Sequence, residues 1–199
     1  MGPSALILLA GVLGAIGAYW SSLRRSETEK QLQKKTDDIV QLNRTITGLV
    51  SGGDSYCFFM PTIDYDKNTC QFLVVHKGQF PIYDVSARIC DVERMNQLVQ
   101  AQQQEGRSHF DLTAADSYIQ LGTIPVGRGI YLPPFPIGSV QKLSFSIFFG
   151  SRNSVFNQTI ELRKVGNQWL SSDRVERDGK VLFEFMNDEF PKDAIEPTK

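Results

Sequence analysis

The side chains of this sequence that could support catalysis or bind a metal are few and widely separated. Its two histidines are His76 and His109, and its three cysteines are Cys57, Cys70 and Cys90. Cys70 and His76 would face the same side of a strand, but six residues of extended chain place their Cα atoms about 20 Å apart. A thiol–imidazole pair therefore cannot form from this local segment.

The spacing of metal ligands and glycines does not predict a metal or phosphate site. The sequence contains no CxxC or HExxH motif. Asp64, Asp66 and Asn68 resemble the start of a calcium-binding loop, but the glycine and the closing glutamate of such a loop are missing. We therefore predict no catalytic residue, no cofactor site and no metal site, and we expect the protein not to be an enzyme.

The cysteine count and the charge distribution narrow the class of protein further. An odd number of irregularly spaced cysteines favours reduced, partly buried thiols, with one disulfide and one free thiol as the alternative. Up to Gly53 lie 6 of the 21 Lys and Arg residues and 4 of the 22 Asp and Glu residues, so the remainder is mildly acidic. Such a surface argues against binding to nucleic acid.

The apolar segment Ser4–Trp20 carries no charged side chain. As a helix it would be about 25 Å long, at the short end of what a lipid bilayer requires. We predict that residues 1–21 form a transmembrane anchor that includes Ala5, Leu9, Gly14 and Trp20, so that one partner is the bilayer. A cleaved signal peptide is the alternative, although the basic residues that normally precede its apolar core are missing.

Five basic residues follow this segment and predict its orientation. They are Arg24, Arg25, Lys30, Lys34 and Lys35. Positive charge is retained on the cytoplasmic side of single-pass proteins, which favours a C-terminal domain in the cytoplasm. A periplasmic domain is the alternative.

Residues 22–53 are predicted to form a polar helical stalk. Its apolar residues recur with the a and d spacing of a coiled coil. They are Leu32, Ile39, Leu42, Ile46 and Leu49. Isoleucine at a with leucine at d suits a parallel dimer, so the stalk predicts a homodimer, with a single amphipathic helix as the alternative. Ser51-Gly52-Gly53 should end the helix.

Residues 54–187 consist of short alternating segments separated by turns. Strands are predicted at 55–60, 70–76, 83–92, 117–124, 130–132, 140–149, 155–165, 169–177 and 181–185, with Pro61 ending the first. Only 91–104 has helical spacing. Because hairpins join most strands, we predict a mainly β fold, an antiparallel β-sandwich of immunoglobulin-like or related type. Residues 188–199 are predicted to be a flexible tail.

The proline-rich segment between two predicted strands is the candidate docking loop. It comprises Pro133, Pro134, Phe135 and Pro136, and it is expected to lie outside the strands because prolines remove ladder donors. A stiff backbone that exposes one aromatic ring would suit recognition of a protein partner, with a simple strand connection as the alternative.

Three segments resemble a group of bacterial membrane-anchored proteins of no assigned activity. They are Val50–Cys57, Phe80–Val85 and Phe148–Asn153. Members of that group have an N-terminal hydrophobic helix, a polar helical segment and a β-rich C-terminal region. The resemblance implies the same layout and a bacterial origin, and it implies no site. The function expected is a membrane-tethered interaction module that recruits a protein partner, and the alternative is a periplasmic domain that binds a small molecule or glycan.

Overall fold

The computed structural model describes residues 3–106, 111 and 113–191, and within the first helix it describes the side chains of residues 14, 19, 20, 25 and 27–51. The chain divides into two compact units, with the boundary between Thr47 and Gly48. The second unit is mainly β and its sheets are antiparallel, as predicted. The predicted tail 188–199 extends beyond the described residues, which end at Pro191.

Helix α1 spans Pro3–Ser51 without interruption, so both N-terminal segments predicted to be helical are helical. Among the residues that the structure describes, no helical segment combines the length and the apolar character that crossing a membrane requires. The side chains of Ala5 and Leu9 lie outside the described residues, whereas Gly14 and Trp20 are exposed. The transmembrane prediction therefore rests on the sequence alone.

The apolar stripe of the stalk is exposed along its whole length. The five residues of the predicted coiled-coil seam are between 49% and 60% exposed; they are Leu32, Ile39, Leu42, Ile46 and Leu49. Thr36 and Thr45 on the same helix donate their hydroxyl hydrogen bonds to carbonyl oxygens one turn earlier. The prediction of a dimer through this seam stays a prediction.

The last turn of α1 belongs to the β-rich unit. A Cβ atom at Gly48 would overlap the ring of Phe80, so this position accepts only glycine without a shift of that ring. Gly52 has a φ of +94°, a conformation that glycine adopts without strain, and its N–H donates to the carbonyl oxygen of Gly48. The amide of Asn153 donates to the carbonyl oxygens of Gly53 and Ser55. The helix therefore ends where the sequence predicts.

Ten strands and a second helix follow within the described residues. The strands are β1 Tyr56–Asp64, β2 Thr69–Lys77, β3 Ile82–Asp91, β4 Asp116–Ile124, β5 Gly129–Tyr131, β6 Phe135–Pro136, β7 Lys142–Gly150, β8 Val155–Val165, β9 Gln168–Arg177 and β10 Lys180–Met186. Helix α2 spans Val92–Gln104, and a short 3-10 turn spans Thr113–Ala115.

The strands form two antiparallel sheets. In the first, β2 lies between β1 and β5 and also pairs with β6; in the second, the order is β10-β9-β8-β7-β3-β4. Four consecutive strands, β7 to β10, are joined as hairpins, as the sequence predicts. The immunoglobulin arrangement of four strands facing three is not the one found over the described residues.

The first strand continues through Pro61, contrary to the prediction that this proline would end it. Pro61 pairs with Phe72 in β2, and the strand runs on to Asp64. This is possible because β1 is an edge strand of its sheet. A proline there leaves no ladder hydrogen bond unmade if its nitrogen faces the free edge.

The core lies between the two sheets and is rich in phenylalanine. Phe59 of β1 contacts Phe149 of β7 edge to face at 4.9 Å between ring centroids, and it stacks on Phe72 of β2 at 5.5 Å. Phe58 stacks on Phe183 of β10 at 4.5 Å. These rings are contributed by both sheets, so the aromatic contacts hold the sheets against each other.

A buried glutamine joins the two sheets through hydrogen bonds. Gln158 of β8 is fully buried, and its Oε1 accepts from the backbone N–H of Phe59 at 2.8 Å. Its Nε2 donates to the carbonyl oxygen of Phe59 at 2.7 Å and to Oδ1 of Asp173 at 2.7 Å. The side-chain amide therefore takes the place of one residue of a neighbouring strand at the free edge of β1. We call this arrangement the Gln158 clamp.

Gln158→Met is expected to lower the free energy of unfolding by about 3 kcal/mol. Methionine has a similar length but cannot satisfy the buried N–H and C=O of Phe59, and each unsatisfied buried group costs about 1–3 kcal/mol. Thr159→Val, at the exposed neighbouring position of β8, is the control and should change stability by less than about 0.5 kcal/mol. Urea unfolding of the three proteins measures both values. A loss below about 1 kcal/mol for Gln158→Met would contradict the role of the clamp.

The third residue of the Gln158 clamp is Asp173, and the pKa of its carboxyl group is shifted. Asp173 of β9 is buried, and this burial raises its pKa to about 6. Hydrogen bonds from Gln158 and from the backbone N–H of Arg174 oppose the increase, because both favour the ionised carboxylate. Protonation of Asp173 is therefore more favourable in the folded chain than in the unfolded chain.

The contribution of Asp173 to the stability of the protein should therefore fall as the pH rises from 4 to 7. An acid with a raised folded pKa contributes stability that is present below its unfolded pKa and is lost as the pH passes its folded pKa. Asp173→Asn keeps an oxygen that can accept from Gln158 but does not ionise. The free energy of unfolding of this variant minus that of the wild type should increase by about 2 kcal/mol between pH 4 and pH 7. Parallel stability curves for the two proteins would show that burial of Asp173 has no such effect.

Candidate functional site

A cavity of about 410 Å³, partly open to solvent, lies within the β-rich unit. Both sheets, α2, the 3-10 turn and the β5–β6 connection contribute to its wall. The lining residues are Phe72, Ile89, Asp91, Arg94, Ala114, Ala115, Ser117, Ile119, Leu132, Pro133, Pro134, Phe135 and Phe145. Most of them are apolar, and a cavity with this volume and lining is typical of a site that receives an apolar group.

Three aromatic rings form one wall of the cavity. The centroid of Phe72 lies 5.5 Å from that of Phe135 and 5.3 Å from that of Phe145, and the last two rings are 5.7 Å apart. Phe72 and Phe145 are buried core residues, whereas Phe135 is half-buried. The wall is therefore a continuation of the core, held in place by packing before any ligand binds.

The proline-rich segment lies in the wall of this cavity. Pro133, Pro134 and Phe135 line it, and Pro136 does not. Phe135 and Pro136 form the short strand β6, paired with Cys70 and Thr69 of β2, so the prediction that the whole segment lies outside the strands is wrong for its second half. The ring of Phe135 packs inward rather than being fully exposed, because Phe72 and Phe145 provide an apolar surface for it.

Neighbouring hydrogen bonds hold this segment on β2. The N–H of Leu132 donates to the carbonyl oxygen of Phe72 at 2.9 Å, and the side chain of Gln71 donates to the carbonyl oxygen of Leu132 at 2.8 Å. At the other end, the N–H of Ile137 donates to the carbonyl oxygen of Asn68. The prolines at the cavity rim are thus attached on both sides, which favours a fixed rim.

Helix α2 supplies the charged part of the wall. Asp91 is its N-cap, and a carboxylate oxygen of Asp91 accepts from the backbone N–H of Arg94 at 3.0 Å. The side chain of Arg94 is exposed and makes no hydrogen bond or ion pair with any other described residue. The cavity therefore combines an apolar interior with a cationic group at its mouth.

The residues that could do chemistry are not brought together. His76 does not line the cavity, and its Nε2 lies 2.8 Å from the carbonyl oxygen of Phe80. His109 lies outside the described residues. Over the part of the chain that the structure describes, no three His, Cys, Asp or Glu residues are grouped as metal ligands would be.

All three cysteines are free and buried, as predicted from their odd number. Burial raises the pKa of Cys57 and of Cys70 to about 12, so their thiolates are not populated near neutral pH. The thiol of Cys90 lies 3.7 Å from the sulfur of Met95, and burial raises its pKa as well. These thiols pack as small apolar groups.

Comparison of the chain with protein-family models, with curated proteins and with solved structures found no match. The cavity geometry and the sequence are therefore the basis for assigning a function.

Two important groups of residues were not predicted from the sequence. Gln158 lies on the inward face of β8 between Phe156 and Ile160, and a polar residue at such a position is a detectable sign of a buried hydrogen-bond network. The cavity offered no such sign, because its residues come from separate strands and from α2.

Proposed function

We propose that this protein is a non-catalytic interaction module that recruits a protein partner, with an apolar side chain of the partner entering the cavity beside Pro133–Pro136. The cavity is the observation that carries the proposal. Its volume of about 410 Å³ lies within the usual range for binding pockets, and its aromatic wall is already formed. Preformed apolar pockets are where interface residues contribute most of the binding energy.

The rim of the cavity favours a peptide over a compact polar ligand. Pro133 and Pro134 present a stiff edge, and the segment is hydrogen-bonded to β2 on both sides. Binding to a stiff surface loses little conformational entropy. A glycan would need many polar partners, whereas Asp91, Arg94 and Ser117 are the main polar side chains among the described lining residues.

Filling the cavity should weaken recruitment. Ala114 is an exposed residue of the cavity wall, and Ala114→Trp would place an indole ring in the opening. We expect at least about a tenfold loss of affinity for a partner identified by crosslinking in native membranes, because that corresponds to about 1.4 kcal/mol, less than one hot-spot side chain contributes.

The matched control is Thr159→Trp, which adds the same ring at an exposed position of β8 that does not line the cavity. It should leave recruitment unchanged. Equal recruitment by the two tryptophan variants and the wild type would refute the proposed site.

A small-molecule ligand is the second candidate, and the volume of the cavity is the observation that favours it. The sequence-based alternative combines such a ligand with a periplasmic domain. A ligand that co-purifies with the wild type but not with Ala114→Trp, in the absence of a protein partner, would support this candidate over the first.

We further propose that residues 1–21 tether the protein to a membrane and that residues 22–53 form a stalk, with the β-rich unit in the cytoplasm. The support is the uncharged segment Ser4–Trp20 and the five basic residues that follow it. The exposed seam of the stalk supports a parallel homodimer, because tethering raises the effective concentration of the second helix.

The full chain should sediment with membranes after cell lysis and be released by detergent but not by high salt. Proteolysis of intact cells should leave the β-rich unit uncut. In the same membranes, Ile46→Asn should reduce crosslinked dimer, whereas Val40→Asn, an exposed apolar position outside the seam, should not. Recovery of the chain without detergent, or equal crosslinking of the two variants, would overturn the tether or the dimer respectively.

A further inference from the structure

The charged residues near the cavity mouth differ in whether their side chains have a partner. Asp91 and Arg94 are the charged residues among the described residues that line the cavity. Asp91 caps α2: its carboxylate accepts from the backbone N–H of Arg94 and lies at the positive end of that helix. Glu93, next to Arg94 in the chain, forms an ion pair with Lys142 at 3.0 Å.

Arg94 is therefore left as an unneutralised cation beside an apolar interior. Its guanidinium has no partner among the described residues, and Arg94 lines the same cavity as Phe72, Phe135 and Phe145. Guanidinium groups form bidentate hydrogen bonds with carboxylates, and such pairs add geometric specificity as well as affinity.

We infer that the partner segment carries an apolar anchor residue flanked by an acidic residue: the anchor fills the aromatic cavity and the carboxylate pairs with Arg94. This inference rests on the proposed function and adds the chemistry of the partner to it. Charge complementarity at the mouth selects an acidic peptide over a basic one, and the apolar interior selects an aromatic or large aliphatic anchor.

The test uses the full chain in detergent micelles and a library of random displayed heptapeptides. Selection on the wild type should enrich sequences in which Phe, Tyr or Leu is adjacent to Asp or Glu. Selection on Arg94→Glu should replace the acidic residue with Lys or Arg. Selection on Arg128→Glu should give the wild-type pattern, since this variant makes the same charge change at an exposed arginine that does not line the cavity.

A selected peptide and its Glu→Gln or Asp→Asn counterpart give the size of the effect. The acidic peptide should bind the wild type about three- to fivefold more tightly, as expected for a solvent-exposed pair, and salt should weaken this preference. On Arg94→Gln the two peptides should bind equally. A preference retained by Arg94→Gln would overturn the inference.

The outcomes separate the inference from the proposal on which it rests. Enrichment of apolar anchors without acidic neighbours would overturn the acidic partner and leave the cavity as a docking site. Selected peptides that bind Ala114→Trp as well as the wild type would overturn both. Absence of any enrichment, together with displacement of cavity-wall NMR signals by 4-phenylbutyrate, would overturn both in favour of a free small acid.

Discussion

The amide of Gln158 satisfies the backbone of Phe59 where no strand does. Phe59 is fully buried although it lies on the edge strand β1, so its outward N–H and C=O would otherwise lack partners in an apolar surrounding. The side chain reaches this edge from β8 in the other sheet, which means that the register of β8 is tied to the position of β1. Without Gln158, the N–H and C=O of Phe59 would be buried without hydrogen-bond partners, because the surrounding phenylalanine rings offer none.

Contacts between rings connect the Gln158 clamp to the cavity. Phe59 stacks on Phe72, and Phe72 contacts Phe145 and Phe135, so the residue held by the clamp packs directly against a ring of the cavity wall. Protein cores are packed at the density of organic crystals, and displacement of one ring is transmitted to the next. The shape of the cavity therefore depends on the same hydrogen bonds that hold the two sheets together.

Local periodicity was enough to predict most strands, and it failed where a distant contact decides the structure. The alternation in Val155–Val165 identifies β8 and its inward face, because strand periodicity is a local property. The same alternation cannot identify Asp173 or Phe59 as partners of Gln158, since these lie in other strands. Pro61 shows the opposite error: a proline predicts the end of a strand, but its effect depends on whether the strand lies at an edge. The inward packing of Phe135 likewise depends on Phe145, ten residues away in the sequence and in the opposite sheet.

The burial of the three thiols also has a practical consequence. Cys57 and Cys70 are inaccessible and have pKa values of about 12, so alkylating reagents meet almost no thiolate while the chain is folded. Unfolding returns these thiols to ordinary reactivity. The natural cysteines therefore report how often the domain opens, in intact cells as well as in the purified protein, and a single cysteine introduced on the surface can be labelled selectively without first removing them.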